Sequence, residues 1–252
     1  MNFKNTIRSI LNLLHLDLTK NLEYDRLTKA VLKQVIRPRH NCIDVGCHKG
    51  EILEILLRYA PQGRHFAFEP LPHMYDDLRK KFKRKATFFS CALSDTEGHT
   101  AFQYVKNAPA YSGIKKRRYD IENPDIEEIR VELRRLDEVI DPATRIDFVK
   151  IDVEGAELGV LKGGLQLLKN NRPIVIFECG KGGSDYYGTQ PTEIYDFLTR
   201  EIGLRIGTLR GFLKDKAAVS RAQFSEYFAT GAEYYFIAFR PKNDFARFPI
   251  GG

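Results

Sequence analysis

Four acidic residues stand where predicted strands end, and their side chains are the first candidates for chemistry. Each closes a short apolar run, and the four are Asp44, Glu69, Asp152 and Glu178. Ligands of open α/β sheets bind at the carboxyl ends of the strands, so we expect these carboxylates to converge on one edge. There they could hold ribose hydroxyls, an ammonium group or a metal ion, or take a proton from a hydroxyl. One such acid is uninformative, but four at the same edge predict a ligand site.

The first of these acids begins a glycine turn, from Asp44 to Gly50, which an apolar-periodic helix pattern follows. Gly46 permits close backbone approach, and Gly50 stands where the helix begins, so free N–H groups point over the strand end. The spacing is D-x-G-x-x-x-G, which differs from the G-x-G-x-x-G fingerprint of dinucleotide sites. A carboxylate at Asp44 suits a cationic ligand end, and Glu69 suits ribose hydroxyls. The pattern favours a nucleoside with an amino-acid tail, such as S-adenosylmethionine, over NAD; an ordinary strand–helix turn with an incidental acid is the alternative.

The elements that must position these acids alternate between strands and helices. Hydrophobic periodicity predicts strands over residues 64–68, 86–91, 100–105, 129–133, 145–151, 173–177, 204–209 and 233–239, besides the one that ends at Asp44. It predicts helices over residues 24–35, 52–57, 72–82, 136–140, 158–168 and 192–202, and a polar stretch between 209 and 233. The order β-α-β-α-β at the start is typical of a doubly wound α/β sheet, and the continuous apolar strand 173–177 of a sheet covered on both faces.

The composition is that of an ordinary soluble globular chain. At 252 residues, with 43% hydrophobic and 29% charged residues, it suits one large domain, or one domain with an appendage. We find no internal repeat or low-complexity linker. The net charge of +7 favours acidic partners without naming one, and a solvated basic surface explains it as well.

The cysteines and the hydropathy indicate a reducing compartment. Cys42, Cys47, Cys91 and Cys179 form no C-x-x-C pair, and three of them lie in or beside apolar runs, as buried thiols do. No apolar run approaches membrane-spanning length, and no signal-peptide pattern is visible. We therefore expect a cytoplasmic protein without a transmembrane segment.

Two segments fall outside the regular pattern. Apolar residues at spacings of three and four predict an amphipathic helix over residues 2–18, and we treat residues 1–38 as an N-terminal helical segment before a domain at 39–252. A capping helix or a homodimer contact is the favoured role, and a membrane-surface helix beneath a lipid-linked substrate is the alternative. Residues 107–128 are irregular and carry the basic run 115–118, so we interpret them as a substrate loop or lid suited to an anionic sugar.

Several blocks of sequence resemble the FkbM family of S-adenosylmethionine-dependent methyltransferases. The most specific block is K-I-D-V-E-G-A-E from Lys150 to Glu157, which continues to Gly163. Other blocks match in the same order, namely Asp44 to Gly50, Phe68-Glu69-Pro70, Ala92 to Asp95 and Leu136-Asp137-Glu138. The resemblance covers about residues 42 to 178 and leaves both ends of the chain outside it.

The resemblance implies a class I methyltransferase Rossmann-like fold, which has a mostly parallel seven-stranded sheet with an antiparallel last strand and helices on both faces. It also implies O-methylation of a hydroxyl, typically on a sugar or a polyketide-type natural product. Carried over residue by residue, it places the cofactor against Asp44, Gly46, Cys47, Gly50, Glu69, Pro70, Ala92 and Asp152. Glu69 would hold the ribose, and Ala92 would lie near the adenine. The family often has Ala-Asn where this chain has Cys47-His48, so His48 would have to replace a hydrogen bond of that asparagine.

Methyl transfer to a hydroxyl requires an in-line approach and a base near the acceptor oxygen. Asp152 is the first candidate for this base, followed by His48 and Glu154. A divalent metal between Asp152 and Glu178 is a variant that we do not favour, because two oxygen ligands are few, and we assign no metal ligand. Glu154 and Glu157 could instead cap a helix N-terminus.

The leading hypothesis is an O-methyltransferase acting on a sugar hydroxyl in polysaccharide, glycolipid or natural-product biosynthesis, with an acceptor that could be anionic or lipid-linked. A non-catalytic cofactor-binding module that partners another enzyme is the second hypothesis. A nucleic-acid methyltransferase is the third, suggested by the positive charge. Asp152-Val153-Glu154-Gly155 stands where such enzymes carry an Asn-Pro-Pro-Tyr-type motif, which disfavours it.

Overall fold

The computed structural model describes residues 20–117, 119 and 121–240, so the predicted helix over residues 2–18 lies outside the described part of the chain. Its strands are β1 (Cys42–Val45), β2 (His65–Phe68), β3 (Thr87–Phe89), β4 (Ala92–Leu93), β5 (Gly98–Val105), β6 (Ile126–Arg134), β7 (Phe148–Ile151), β8 (Ile174–Glu178), β9 (Arg205–Thr208) and β10 (Tyr235–Phe239). Its helices are α1 (Lys20–Val35), α2 (Glu51–Tyr59), α3 (Pro72–Phe82), α4 (Leu136–Val139), α5 (Glu157–Gly163), α6 (Leu165–Asn171), α7 (Pro191–Asp196), α8 (Leu209–Leu213) and α9 (Arg221–Thr230).

Seven of these strands form one sheet in the order β3-β2-β1-β7-β8-β10-β9. β1 pairs in parallel with β2 and β7, whereas β10 runs antiparallel to β8 and β9. This confirms the predicted Rossmann-like sheet with an antiparallel last strand. The chain builds outward from β1 to β3 and then returns to β7, so the strand order reverses between β1 and β7. Open α/β sheets bind ligands in the crevice at such a reversal.

Strand register brings the ends of the central strands together. Asp44 pairs with Lys150, which places the β1 turn beside the residues that follow β7. Ile151 pairs with Phe177, so Asp152 and Glu178 follow on neighbouring strands. Tyr235 at the start of β10 pairs with Glu178. The sheet therefore aligns side chains from four strands on one edge.

The central strands are buried on both faces because helices cover the sheet on each side. Every residue of β1, β2 and β7 is buried, as the continuous apolar runs predict. Helix α1 buries Leu27, Val31 and Leu32 in a cluster that contains Phe148 and Ile176 of the sheet. The four cysteines are buried free thiols, as predicted.

A second sheet, in the order β4-β6-β5, is inserted between β3 and β7. The third strand is shorter than the predicted 86–91: β3 ends at Phe89, and Ala92 pairs with β6 instead. The irregular segment after β5 includes a 3₁₀ turn, Pro109–Tyr111, and β6 begins at Ile126 rather than 129.

Three predicted elements differ in the second half of the chain. The helix over 158–168 is two helices that meet at Gly164. A side chain at the neighbouring Gly163 would overlap the Ser94 carbonyl, so glycine is required there. The helix over 192–202 ends in a π-helical turn, Phe197–Glu201. The polar stretch after residue 209 contains α8 and α9, which we did not predict.

Within the described residues, no helix has both the length and the apolarity needed to cross a membrane.

Candidate active site

A cleft of about 1010 Å³ opens at the carboxyl edge of the large sheet. Its walls come from the turn after β1, the ends of β2, β7 and β8, the start of β10, the inserted segment after β5, and helix α1. All four strand-end acids line it, as do most of the predicted site residues, namely Asp44, Gly46, Cys47, His48, Glu69, Pro70, Ala92, Asp152, Glu154 and Glu178.

The β1 turn depends on glycine at two positions for different reasons. Gly46 has φ +73°, and a side chain there would overlap the Asp152 carbonyl oxygen, so this glycine lets the turn lie against the β7 end. Gly50 has φ +74° and precedes α2, and a side chain there would overlap the Phe82 ring. Gly46 lines the cleft, whereas Gly50 packs away from it against α3.

Asp44 is a buried carboxylate that faces the cleft. It is 1% exposed, and among the described residues no well-aligned donor reaches its oxygens, although the Cys47 thiol and the Lys150 ammonium lie close to them. The Lys150 ammonium lies 3.6 Å from Oδ1. Burial raises the pKa of Asp44, and the charge of Lys150 opposes that rise. A buried acid with unused acceptor capacity fits a ligand that brings an ammonium group.

Glu69 is oriented by two backbone donors. Its Oε2 accepts a hydrogen bond from the His48 amide at 2.8 Å, and its Oε1 accepts one from the Leu71 amide at 3.1 Å. Burial raises the pKa of Glu69, which these hydrogen bonds counteract. Each carboxylate oxygen can accept a further hydrogen bond, so Glu69 remains able to bind ribose hydroxyls. Pro70 and the buried Ala92 lie along the same side of the cleft.

Asp152 lies at the centre of a polar network. Its Oδ2 accepts a short hydrogen bond from the Tyr235 hydroxyl and lies 3.5 Å from Lys150 Nζ. Burial opposes ionisation, but Lys150 and the donated hydrogen bonds outweigh it, so the pKa of Asp152 lies below its ordinary value. Burial and the charge of Asp152 raise the pKa of Glu178 well above its ordinary value. The pKa values of the two neighbouring acids therefore move in opposite directions, and Asp152 ionises more readily than Glu178.

Glu154 is held by the inserted segment. Its carboxylate forms an ion pair with Arg117, which also donates a hydrogen bond to the Gly182 carbonyl at 3.0 Å. Burial and the nearby Asp152 raise the pKa of Glu154 to about 8, against the effect of Arg117. The Arg117 guanidinium lies 5.0 Å from the centre of the Tyr111 ring. The predicted substrate loop thus contributes directly to the cleft wall.

Glu157 supports the turn that follows β7. It is fully buried, and its Oε1 accepts hydrogen bonds from the amides of Val153 and Gly155 at 3.0 and 3.1 Å. Glu154 adopts φ +60° and Gly155 φ +109°, so the loop needs such support. Both amides precede α5, so these hydrogen bonds support the turn before the helix, and the expectation that Glu157 caps the helix N-terminus stays a prediction.

His48 lines the cleft with φ +49° and is half-buried. Burial and the neighbouring Lys49 and Lys150 lower the pKa of His48. Its imidazole is therefore neutral near pH 7 and able to accept a proton. All three predicted candidates for the base, Asp152, His48 and Glu154, border the same cleft.

Sequence reasoning missed Lys150 and Tyr235 as parts of the site, and it placed Arg117 in the predicted substrate loop without identifying its contact with Glu154. Lys150 stands two residues before Asp152, so both side chains lie on the same face of β7, and this spacing was the available signal. The Tyr235 contact depends on the register of an antiparallel strand, and the Arg117 contact on the path of an irregular loop. Helix α1 also lines the cleft, through Asn21, Tyr24, Asp25, Thr28 and Lys29.

Three carboxylates could be considered for a metal ion. Asp152, Glu154 and Glu178 each offer an oxygen, and these oxygens lie within 4.8 Å of one another. Asp152 already contacts Lys150 and Tyr235, and Glu154 already contacts Arg117. Protein groups therefore already contact two of the three carboxyl groups that a metal ion would need. That the site binds no metal stays a prediction.

Comparisons with known proteins agree with this geometry. The family model of the methyltransferase FkbM domain matches residues 44–206. Methyltransferase sdnD of Sordaria araneosa is 30% identical over 152 residues, which are 48% of this chain and 59% of that protein. The 2-O-methyltransferase NoeI of Sinorhizobium fredii is 27% identical over 175 residues, 62% of this chain and 69% of that protein.

Among solved structures, the methyltransferase FkbM of Methylobacillus flagellatus KT matches with a TM-score of 0.50 and 15% identity, covering 86% of this chain and 52% of that one. This likeness supports the fold alone. The matched part of the chain spans less than two thirds of the length of sdnD. Membership of the family therefore does not by itself assign the activity or substrates of these relatives to this protein. The family model covers more than half of the chain, from the β1 acid to β9, and the chain belongs to the FkbM methyltransferase domain family.

Proposed function

We propose that the protein is an S-adenosylmethionine-dependent O-methyltransferase that acts on a sugar hydroxyl in polysaccharide, glycolipid or natural-product biosynthesis. One observation carries the proposal most directly. A carboxylate held in its ionised form, Asp152, shares a cleft with a buried carboxylate, Asp44, whose oxygens no well-aligned donor reaches in the described part of the chain. The first suits proton removal and the second suits a cationic cofactor.

The charge of the cleft supports this cofactor over an anionic nucleotide. Asp44, Glu69 and Asp152 surround the β1 turn, and Lys150 offsets only part of their charge. A ligand with an ammonium and a sulfonium group is attracted by this excess, whereas a pyrophosphate is repelled. Asp44 would hold the ammonium group and Glu69 the ribose hydroxyls. When bound, S-adenosylmethionine supplies a methyl group on a positively charged sulfur.

Asp152 is the group that would take the proton of the acceptor hydroxyl. Tyr235 fixes its orientation through the hydrogen bond to Oδ2, and Lys150 keeps it ionised. A proton-accepting group within hydrogen-bond reach of the hydroxyl contributes about 10²–10⁴-fold to the rate. His48, which is neutral near pH 7, is the second candidate on the same side as the cofactor turn.

The outer part of the cleft combines carboxylates with tyrosine rings. Asp25 and Asp185 line it together with Tyr111, Tyr186 and Tyr234. Carboxylates accept hydrogen bonds from sugar hydroxyls, and aromatic rings pack against the apolar faces of sugars. These features fit a glycan acceptor. Lys29, Lys49 and Lys181 also line the cleft, so an anionic glycan fits it as well as a neutral one.

The first experiment is calorimetric titration of the protein with S-adenosylmethionine and S-adenosylhomocysteine. We expect micromolar binding, about −8 kcal/mol, which is lost in Asp44→Ala and Glu69→Ala variants. Asp76→Ala, at an exposed position of α3, is the matched control and should bind as the wild type does. Absence of cofactor binding by the folded wild type would contradict the proposal.

The second experiment measures transfer of a labelled methyl group to a panel of soluble glycosides, with and without EDTA. Transfer to a sugar hydroxyl that EDTA leaves unchanged is the expected outcome. Activity lost with EDTA and restored by a divalent cation would overturn the metal-free assignment. Cofactor binding without transfer to any acceptor would favour the non-catalytic module.

A further inference from the structure

The Lys150 ammonium is buried between two carboxylates that come from different strands. Its Nζ lies 3.6 Å from Asp44 Oδ1 and 3.5 Å from Asp152 Oδ2. It also donates a hydrogen bond to the Gly46 carbonyl at 2.8 Å. The side chain of Lys150 is 8% exposed, so solvent screens these contacts little. One cation therefore contacts the cofactor turn and the candidate base at once.

Lysine suits this position better than arginine. An ammonium has three N–H donors, and here three groups lie near it: the Gly46 carbonyl, Asp44 and Asp152. A guanidinium is planar and presents its donors as a fork, which matches a single carboxylate better than three separate partners.

Several charged or titratable groups face Asp44. On the turn after β1 this is the Cys47 thiol, on β7 and just after it they are Lys150 and Asp152, and after β2 it is Glu69. Tyr235 of β10 acts indirectly, because it donates to Asp152. Among these groups Lys150 carries the positive charge that contacts Asp44. The two carboxylates outweigh burial and raise the pKa of Lys150, so it stays charged.

We propose that Lys150 is a positioning residue for cofactor binding, which keeps the Asp44 carboxylate ionised and aimed at the amino group of the cofactor while holding Asp152 beside it. The proposal rests on the proposed function, since it assumes that S-adenosylmethionine binds at the β1 turn. It adds a coupling between two groups. Because Lys150 interacts with both carboxylates, the charge of Asp152 should change the affinity with which Asp44 helps to bind the cofactor.

The test is the pH dependence of S-adenosylmethionine affinity, measured by calorimetry between about pH 4.5 and about pH 7.5, below the range in which an α-amino group loses its proton. Because burial raises the pKa of Asp44, wild-type affinity should weaken as the pH falls. Lys150→Gln keeps a donor for the Gly46 carbonyl but removes the charge. Its affinity should weaken at a midpoint at least about one pH unit higher, a loss of about threefold halfway between the two midpoints and of about tenfold at a pH well below both.

Two further variants separate charge from structure. Lys150→Arg retains the charge but fits two carboxylates less well, so its midpoint should lie between those of the wild type and Lys150→Gln. Asp152→Asn removes the second carboxylate that interacts with Lys150. The ammonium then stabilises the Asp44 carboxylate alone, so the midpoint should move to lower pH. This variant keeps the proposal testable even if Lys150→Gln does not fold, which thermal unfolding would reveal.

The outcomes distinguish the two proposals. A wild type that binds no S-adenosylmethionine at any pH overturns the proposed function and this inference together. Wild-type binding with an equal loss at every pH in Lys150→Gln, or an upward midpoint in Asp152→Asn, overturns the role of Lys150 alone.

Discussion

Asp152 is the first candidate for the proton acceptor because it faces the cleft and its pKa, which lies below the ordinary value, keeps it deprotonated at neutral pH, although the same low pKa makes it a weak base. We expect Asp152→Asn to lower kcat about 10²–10⁴-fold, because the amide cannot accept the proton. Affinity for S-adenosylhomocysteine near pH 7.5 should change little, since Asn can still accept the Tyr235 hydrogen bond. Kinetics with the best glycoside and calorimetry test the two expectations.

The control for this variant is Asp77→Asn, an exposed acid of α3. It should leave kcat and cofactor affinity unchanged. If Asp152→Asn loses cofactor binding and turnover equally, Asp152 serves binding and the base lies elsewhere, with His48 as the next candidate.

Tyr235 tunes the base without reacting itself. Its hydrogen bond stabilises the Asp152 carboxylate, so Tyr235→Phe should raise the pKa of Asp152. A base must be deprotonated to act, so the acidic limb of the kcat/KM profile should move to higher pH, with activity recovering above it. The ring packs against Tyr24 with centroids 5.3 Å apart, and Phe preserves that contact.

The matched control is Tyr234→Phe, whose hydroxyl bonds Asn21 rather than Asp152. Its pH profile should keep the wild-type limb. An unmoved limb in Tyr235→Phe as well would assign the limb to another group, such as His48.

The sequence predicted only those site residues that stand at the end of an apolar strand. Asp44, Glu69 and Asp152 follow apolar runs, so their place at the sheet edge follows from topology. The partners of these acids could not be predicted in the same way. Tyr235 reaches Asp152 through the pairing of β10 with β8, and sequence spacing carries no information about that register.

At the scale of elements, the glycine turn is the tightest constraint on the site. Gly46→Ala would place a methyl group against the Asp152 carbonyl at φ +73°. We expect a loss of stability of about 1–3 kcal/mol and cofactor binding weakened at least tenfold, because the turn must move away from β7.

Gly203→Ala is a close control, because Gly203 has φ +79° with no atom within 4 Å of the added methyl group. It should show the conformational strain alone, with cofactor affinity unchanged. Equal affinity in the two variants would mean that the contact of the turn with β7 does not shape the site. Chemical denaturation and calorimetry give both quantities.

Helix α9 shows why some elements escape sequence analysis. Only Phe224 and Phe228 are buried on it, so its apolar periodicity is weak over its short length. Its start is nevertheless marked, because Ser220 and Gln223 form a capping box. The strands β1, β7 and β8 were predictable because each is a continuous run of apolar residues. Two apolar residues on one face of a helix, as in α9, are too few to show a helical period.

The cap of α9 is testable on its own. Ser220→Ala removes the acceptor for the Gln223 amide and should cost about 1 kcal/mol of stability, or about 2–4 °C in Tm for a chain of this size. Ser225→Ala, in the middle of the same helix, should be neutral or slightly stabilising. A smaller effect at Ser220 than at Ser225 would contradict the capping assignment, and cofactor affinity should stay constant in both.

For the molecule as a whole, helix α1 belongs physically with the sheet that carries the site. Lys20 Nζ donates to the Gly231 carbonyl at 2.7 Å, and the Tyr24 hydroxyl donates to Glu233 at 2.6 Å. These contacts tie α1 to the chain just before β10, where Tyr235 lies. The predicted domain boundary at residue 38 remains a prediction, but the packing argues for one cooperative unit on both sides of it.

A substitution at Leu32 tests whether α1 and the sheet unfold as one cooperative unit. Leu32 is fully buried in the cluster shared by α1 and the sheet, so Leu32→Ala should lower the free energy of unfolding by about 2–5 kcal/mol. If α1 and the sheet unfold together, the variant shows one transition at lower denaturant, and S-adenosylhomocysteine raises its Tm by mass action. Lys33→Ala, at an exposed position of the same helix, should change stability by less than about 0.5 kcal/mol. Two separate transitions in Leu32→Ala would instead show that α1 unfolds on its own, and the wall of the cleft that it forms would then be a separable part of the site.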